Sequence, residues 1–126
     1  MAERVYLGLT SYRLRQGFMG LFFWKNDRKI DAFAQAVADD LFSHIQPDVA
    51  KAHILASGKL SKKQKIKAEQ KFNDILLQMK RFSESQSLGI YGKARLQQKF
   101  NERLEELGYK TDVVNKIAED FLVRNV

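Results

Sequence analysis

The sequence predicts an all-α protein of one domain, 1–126: a compact bundle of four to five helices over residues 26–126, preceded by an irregular or partly helical arm over residues 1–25. Three observations predict it. Apolar residues recur at helical spacing in four separate stretches from residue 26 onward. Helix start and stop signals fall between those stretches, at Pro47, Gly58, Ser61 and Gly108. The 126 residues hold no internal repeat and no dividing linker, and 44% apolar with 29% charged residues is ordinary globular usage.

The arm mixes two periods. Val5, Leu7 and Leu9 alternate like a short strand, whereas Leu14, Phe18, Leu21 and Phe22 step like a helix, which predicts an irregular segment and then a short helix near 11–24. Asn26 and Asp27 offer N-caps to the next element, whose Ile30, Phe33, Ala34, Val37, Leu41 and Ile45 form one apolar face. Asp31, Gln35, Asp39 and Ser43 fall on the other face. Pro47 ends this helix or opens a short one over 47–57, which Gly58 stops as a left-handed C′ residue.

Ser61 and Gln64 have the spacing of a capping box at the head of a third helix. Ala68, Phe72, Ile75, Met79 and Phe82 then make a core-facing seam, and the Ser83–Ser87 segment has loop composition. A fourth helix runs from about Leu88 to Leu107, with Leu96, Phe100, Leu104 and Leu107 on its apolar face. Gly89 and Gly92 weaken its first turns by about 1 kcal/mol each relative to Ala. Gly108 suits a left-handed C′ position that brings Tyr109 to Leu104. Thr111 caps a last helix with the stripe Val114, Ile117, Ala118, Phe121 and Leu122.

Composition excludes several classes. There is no cysteine, so disulfides, thiolate metal sites and thiol nucleophiles are out. The longest apolar run, Gly17–Trp24, is eight residues, far short of the roughly 20 a spanning helix needs. Arg13 and Arg15 interrupt the N-terminal apolar character and no small-x-small site follows, so no secretory signal is read and the expected compartment is the cytoplasm. There is no H-E-x-x-H, no phosphate-loop glycine pattern and no G-x-S-x-G. His44 follows Asp40 by one helical turn, but His53 lies on another helix, and Asp39, Asp40 and Asp48 read as solvated charges. No enzyme, cofactor, metal or small-molecule substrate is inferred.

The net charge of +7 is unevenly placed. Residues 1–29 carry six Lys/Arg against two Asp/Glu, residues 30–57 one against four, and residues 58–82 eight against two. Lys59, Lys62, Lys63, Lys65, Lys67 and Lys71 crowd the head of the third helix, and Lys63, Lys67 and Lys71 are each one turn apart. Like charges at that spacing repel, and cations at a helix N-terminus oppose its dipole. The pattern suits a phosphate-bearing partner, against the plainer reading of a soluble face that Glu69, Asp74 and the acidic 30–57 segment neutralise.

The arm interleaves aromatics with bases: Tyr12-Arg13-Leu14-Arg15, then Phe18, Leu21, Phe22, Phe23 and Trp24, then Lys25, Arg28 and Lys29. Insertion at a membrane surface or stacking on single-stranded bases would use such a segment, but packing against its own chain or a second copy is the commoner fate. The expectation is therefore a non-enzymatic protein-interaction or regulatory module that self-associates through Phe18, Leu21, Phe22, Phe23 and Trp24. The alternative is sequence-independent nucleic-acid binding through Lys59, Lys62, Lys63, Lys67 and Lys71, with a membrane-surface role third.

Overall fold

The computed structural model describes the backbone of residues 9–125 and the side chains of residues 27–121. Five helices follow one another: α1 (Leu9–His44), α2 (Pro47–Ile54), α3 (Lys62–Ser85), α4 (Ile90–Glu106) and α5 (Thr111–Asn125). The described residues hold no strand, and no helix among them is long and apolar enough to cross a membrane. The strand-like alternation that begins at Val5 and Leu7 lies outside the described residues.

The largest correction concerns α1. Asn26 and Asp27 are not caps; they sit inside one continuous helix of 36 residues. The expected break came from a change of phase. At about 100° per residue, the stripe of Leu14, Phe18, Leu21 and Phe22 lies about 150° round the helix from that of Ile30, Ala34, Val37 and Leu41. A change of apolar face looks like a helix end in sequence, yet the backbone runs on. Asp27 has tertiary partners instead of a capping role: Tyr91 Oη donates to its Oδ2 at 3.3 Å, and Arg95 Nε lies 3.6 Å from its buried Oδ1.

The core is built on α1. Ile30, Ala34, Val37, Ala38, Leu41 and Ile45 are all buried, and the two alanines leave room for close helix approach. α4 makes the most extensive contact with it. Among the described residues, four pairs linked by side-chain hydrogen bonds join the two helical tracks at one separation of 64: Asp27 with Tyr91, Asp31 with Arg95, Asp39 with Arg103, and the Ile45 carbonyl with Tyr109. A constant offset means that α1 and α4 run parallel and in register. α3 runs the other way, since Asp40 meets Lys71 and Gln78 while the earlier Phe33 stacks on Phe82 with ring centroids 4.0 Å apart. α5 closes the far side through Val113, Val114, Ile117 and Phe121, the last stacked on Phe100 at 5.8 Å.

Local signals explain most element ends. The Ser61 capping box forms, with Gln64 N–H donating to Ser61 Oγ at 3.1 Å and Ser61 N–H donating to Gln64 Oε1 at 2.9 Å. α4 ends as expected: Gly108 has φ +106, and the Tyr109 and Gly108 amides donate to the Leu104 and Glu105 carbonyls, both bonds of the double C-terminal motif. α3 ends in the same motif after taking in three residues of the expected loop, Ser83 to Ser85. Here Ser87 takes the left-handed position with φ +52, and the Leu88 and Ser87 amides donate to the Ser83 and Glu84 carbonyls. α2 stops at Ile54 rather than at Gly58, with Ala56 taking positive φ directly after the Leu55 cap. Leu88 precedes α4, whose N-cap is Gly89. Gly92 packs closely inside the helix: a Cβ there would meet the Leu88 side chain at 3.1 Å, which would have to give by a few tenths of an ångström. Thr111 is the first residue of α5 rather than its cap; the Lys110 carbonyl accepts the first helical bond, from Val114.

Two left-handed caps with different residues give a paired stability test. Ser87→Gly removes a Cβ penalty of about 1 kcal/mol and is expected to raise stability by about that amount, whereas Gly108→Ala adds the same penalty and lowers it. Urea unfolding followed by circular dichroism reads both; equal midpoints for the two variants would contradict the cap geometry.

Candidate functional site

The carboxylates of α1 (Asp27, Asp31, Asp39 and Asp40) are engaged by other helices of the fold. Arg95 binds Asp31 through Nε and one terminal nitrogen, both at 2.9 Å, and Arg103 Nε donates to Asp39 at 2.8 Å. Lys71 donates to Asp40 at 2.8 Å and to Asp74 at 3.2 Å, with its side chain only 14% exposed. Burial pulls the Lys71 ammonium down, but the bonds from Asp40 and Asp74 outweigh it and the group stays above the ordinary lysine value. Lys71 therefore belongs to the α1–α3 joint and drops out of the phosphate-facing group to which its spacing had assigned it. The physical reason is phase: position 71 borders the seam of Ala68, Phe72 and Ile75, whereas 63 and 67 lie across the helix from it.

The other five lysines behave differently. Lys59, Lys62, Lys63, Lys65 and Lys67 are exposed, and none has an ion-pair partner among the described residues. The acids expected to neutralise them are elsewhere. Asp74 is held by Lys71 and Gln78, and Glu69 turns to a small cavity of about 60 Å³ beside His53, Asn73 and Asp120. Lys62, Lys63 and Lys67 share one shallow outward face with Gln70 and Ile66, which is 48% exposed. Lys65 lies on the flank and Lys59 in the preceding connection.

A second surface was missed in the sequence. α3 and α4 both pack on α1, and a groove of about 910 Å³ separates them. Met79, Leu88, Ala94 and Leu96 supply its apolar lining, and Glu84, Glu102 and Glu105 outnumber Lys80 and Lys93 along it. Ile90, which also lines the groove, is 91% exposed, and the neighbouring Tyr91 is 54% exposed. A signal existed: Ile90 and Tyr91 are large apolar residues off the Leu96–Phe100–Leu104 stripe. The side chains of Phe18, Leu21, Phe22, Phe23 and Trp24 lie outside the described residues, while their backbone belongs to α1.

The histidines are not brought together. His44 Nδ1 lies 2.9 Å from the Asp40 carbonyl and 3.4 Å from its carboxylate, on an exposed helix end. His53 stacks on Phe72 at 5.7 Å. Among the described residues no group of three His, Asp or Glu side chains is placed to hold a metal ion. No protein-family model matches the sequence, and no curated protein or solved structure matches it significantly.

The Asp40 network gives a pH prediction. Its carboxyl sits below the ordinary 3.8, first because Lys71 hydrogen-bonds to it, with Gln78 and His44 adding and burial opposing. A lowered folded value contributes stability that is present above the unfolded value and lost as pH falls through the folded one. Asp40→Asn should therefore reduce the loss of stability between about pH 5.5 and about pH 2.5, by about 0.5 kcal/mol given its partial exposure. Denaturant titrations at the two pH values measure this, and an unchanged acid limb would sever the network from stability.

Proposed function

We propose that this chain is a non-enzymatic interaction module that pairs with a second copy of itself, the N-terminal half of α1 from one copy lying in the α3–α4 groove of the other. The observation that carries this reading is the groove itself, an apolar-floored channel of about 910 Å³ with the exposed Ile90 at its mouth. Large unfilled apolar surfaces of this kind mark docking sites, and an amphipathic helix is the usual occupant.

Three features favour a second copy as the source of that helix. Lengths agree. The α4 wall from Ile90 to Glu105 spans about 24 Å, and α1 from Leu9 to Asn26 spans about 27 Å, at 1.5 Å per residue. Signs agree. That stretch of α1 has Arg13, Arg15 and Lys25 and no acid, whereas the groove has three carboxylates against two lysines. Phase agrees as well. In the sequence the apolar stripe of Leu14, Phe18, Leu21 and Phe22 is out of helical phase with that of Ile30, Ala34, Val37 and Leu41, as expected of two stripes that serve different partners. Each copy offers one helix and one groove, so a two-fold pair satisfies both.

Sedimentation equilibrium of the full chain is expected to return twice the chain mass. Ile90→Asp changes a residue that the fold leaves in solvent, at a helix N-terminus where a carboxylate is tolerated, and should shift the equilibrium to the monomer by tenfold or more. Phe22→Asp should do the same from the other side of the contact. A wild-type monomer at high protein concentration, or a dimer untouched by both substitutions, would remove this reading.

A further inference from the structure

We infer that the outward face of α3 formed by Lys62, Lys63, Ile66, Lys67 and Gln70, with Lys59 beside it, binds the phosphodiester backbone of duplex nucleic acid without regard to sequence. The face is distinct from the α3–α4 groove and does not depend on the dimer.

The first argument is the fate of the acids. This protein places ion pairs along α1, α3 and α4, and they engage Lys71, Arg95, Lys99 and Arg103. The five lysines at the head of α3 receive none among the described residues, although Glu69 stands within two residues of Lys67 in sequence. Lys71, one turn further on, shows what neutralisation looks like when the fold uses it. Other cations without an ion pair among the described residues, such as Lys51, Lys93 and Lys110, stand singly on the surface, whereas the head of α3 and the connection before it gather five between Lys59 and Lys67.

The second argument is energetic. Lys63 and Lys67 repel across one turn, and Lys62, Lys63 and Lys65 occupy the first turn, where backbone amides already present positive charge. Each arrangement disfavours the isolated helix by a fraction of a kcal/mol, and a polyanion reverses the sign of all of them at once. The capping box holds the first turn in place against this repulsion.

The third argument chooses the polyanion. A helix lying on an anionic membrane inserts a continuous apolar face, but the apolar face of α3 (Ala68, Phe72, Ile75 and Met79) is inside the core, and its exposed large apolar residues, Ile66 and Leu77, stand three turns apart. The surface is a shallow, open hollow rather than an enclosed pocket that would surround a headgroup or a free phosphate ester. Along it, Lys63 and Lys67 recur at about 6 Å of helix rise, a repeat that a regular array of phosphates meets and an irregular acidic peptide does not. Gln70 adds a neutral donor for a phosphate oxygen.

Fluorescence anisotropy of the full chain with a labelled random-sequence duplex of about 20 base pairs, over a salt series, tests this. Three to four phosphate contacts give a slope of log K against log salt of about −3 to −4, so affinity should fall about 20-fold or more between 50 and 150 mM salt. Lys62→Gln, Lys63→Gln and Lys67→Gln together should weaken binding at least tenfold and flatten the slope by about 2.7, with helix content unchanged. The pair Lys51→Gln and Lys110→Gln, exposed and outside both surfaces, should leave both values as they were. No binding at 50 mM salt, or a triple variant with the wild-type slope, would overturn the proposal. So would binding to anionic vesicles or polyglutamate with none to the duplex, which would hand the face to another class of partner.

Discussion

The parallel register of α1 and α4 is the constraint on which the rest of this fold depends. Four contacts at one offset, from Asp27–Tyr91 to the Ile45 carbonyl and Tyr109, align the helices along their shared length. Parallel neighbours cannot be joined by a tight turn. The chain must travel back before α4 begins, and α3 is that return path, antiparallel to α1 and anchored at Phe82 and Lys71. The two kinds of contact divide the work. The apolar stripe of α1 and the buried Phe100 and Leu104 supply free energy, about 1.5–3 kcal/mol for each large side chain fully buried. The part-exposed ion pairs are worth about 1 kcal/mol or less each, and they select one register among several that the stripe alone would allow. Tyr109 contributes to both, since its ring is buried against Phe42 and its hydroxyl satisfies a carbonyl at the end of α1; that burial raises the phenol well above its ordinary value.

The two surface features follow from this arrangement. Because α3 and α4 each take α1 as their neighbour, a channel remains between them. Because the carboxylates of α1 bind Arg95, Arg103 and Lys71, few are left for the lysines at the head of α3. A sequence count of charges treats every acid as available to every base. The fold assigns them.

What could be read from the sequence was local. The capping box of Ser61 and Gln64 and the Gly108 stop with Tyr109 folded back are signals contained within a few residues, the stripes of α3, α4 and the 114–121 part of α5 lie within single helices, and each forms as read. What could not be read depended on distant partners or on phase. Asp27 carries a capping side chain, but its place in a continuous helix is decided with Tyr91 and Arg95, 64 and 68 positions away. Lys71 looks like its neighbours Lys63 and Lys67 until Asp40 is set opposite it. Ser87 occupies a left-handed position that composition assigns to glycine, so α3 ran further than its loop-like letters suggested. One long-range signal was present but had no context: the spacing of Asp27, Asp31 and Asp39 repeats in Tyr91, Arg95 and Arg103, and only a parallel pairing gives that repeat a meaning.

The 64-residue offset also sets an order of events during synthesis. At about 5–20 residues per second, on the order of 3–13 s separate the appearance of an α1 residue from that of its α4 partner. Phe82 and Lys71 follow their α1 partners sooner, after 49 and 31 residues, so α3 can settle on α1 while α4 is still unmade. Closing the longer loop costs little extra free energy, but it delays the contact that completes the core. Until then the side of α1 that meets α4 has no partner, and Asp31 and Asp39 are without the two arginines that the finished fold gives them.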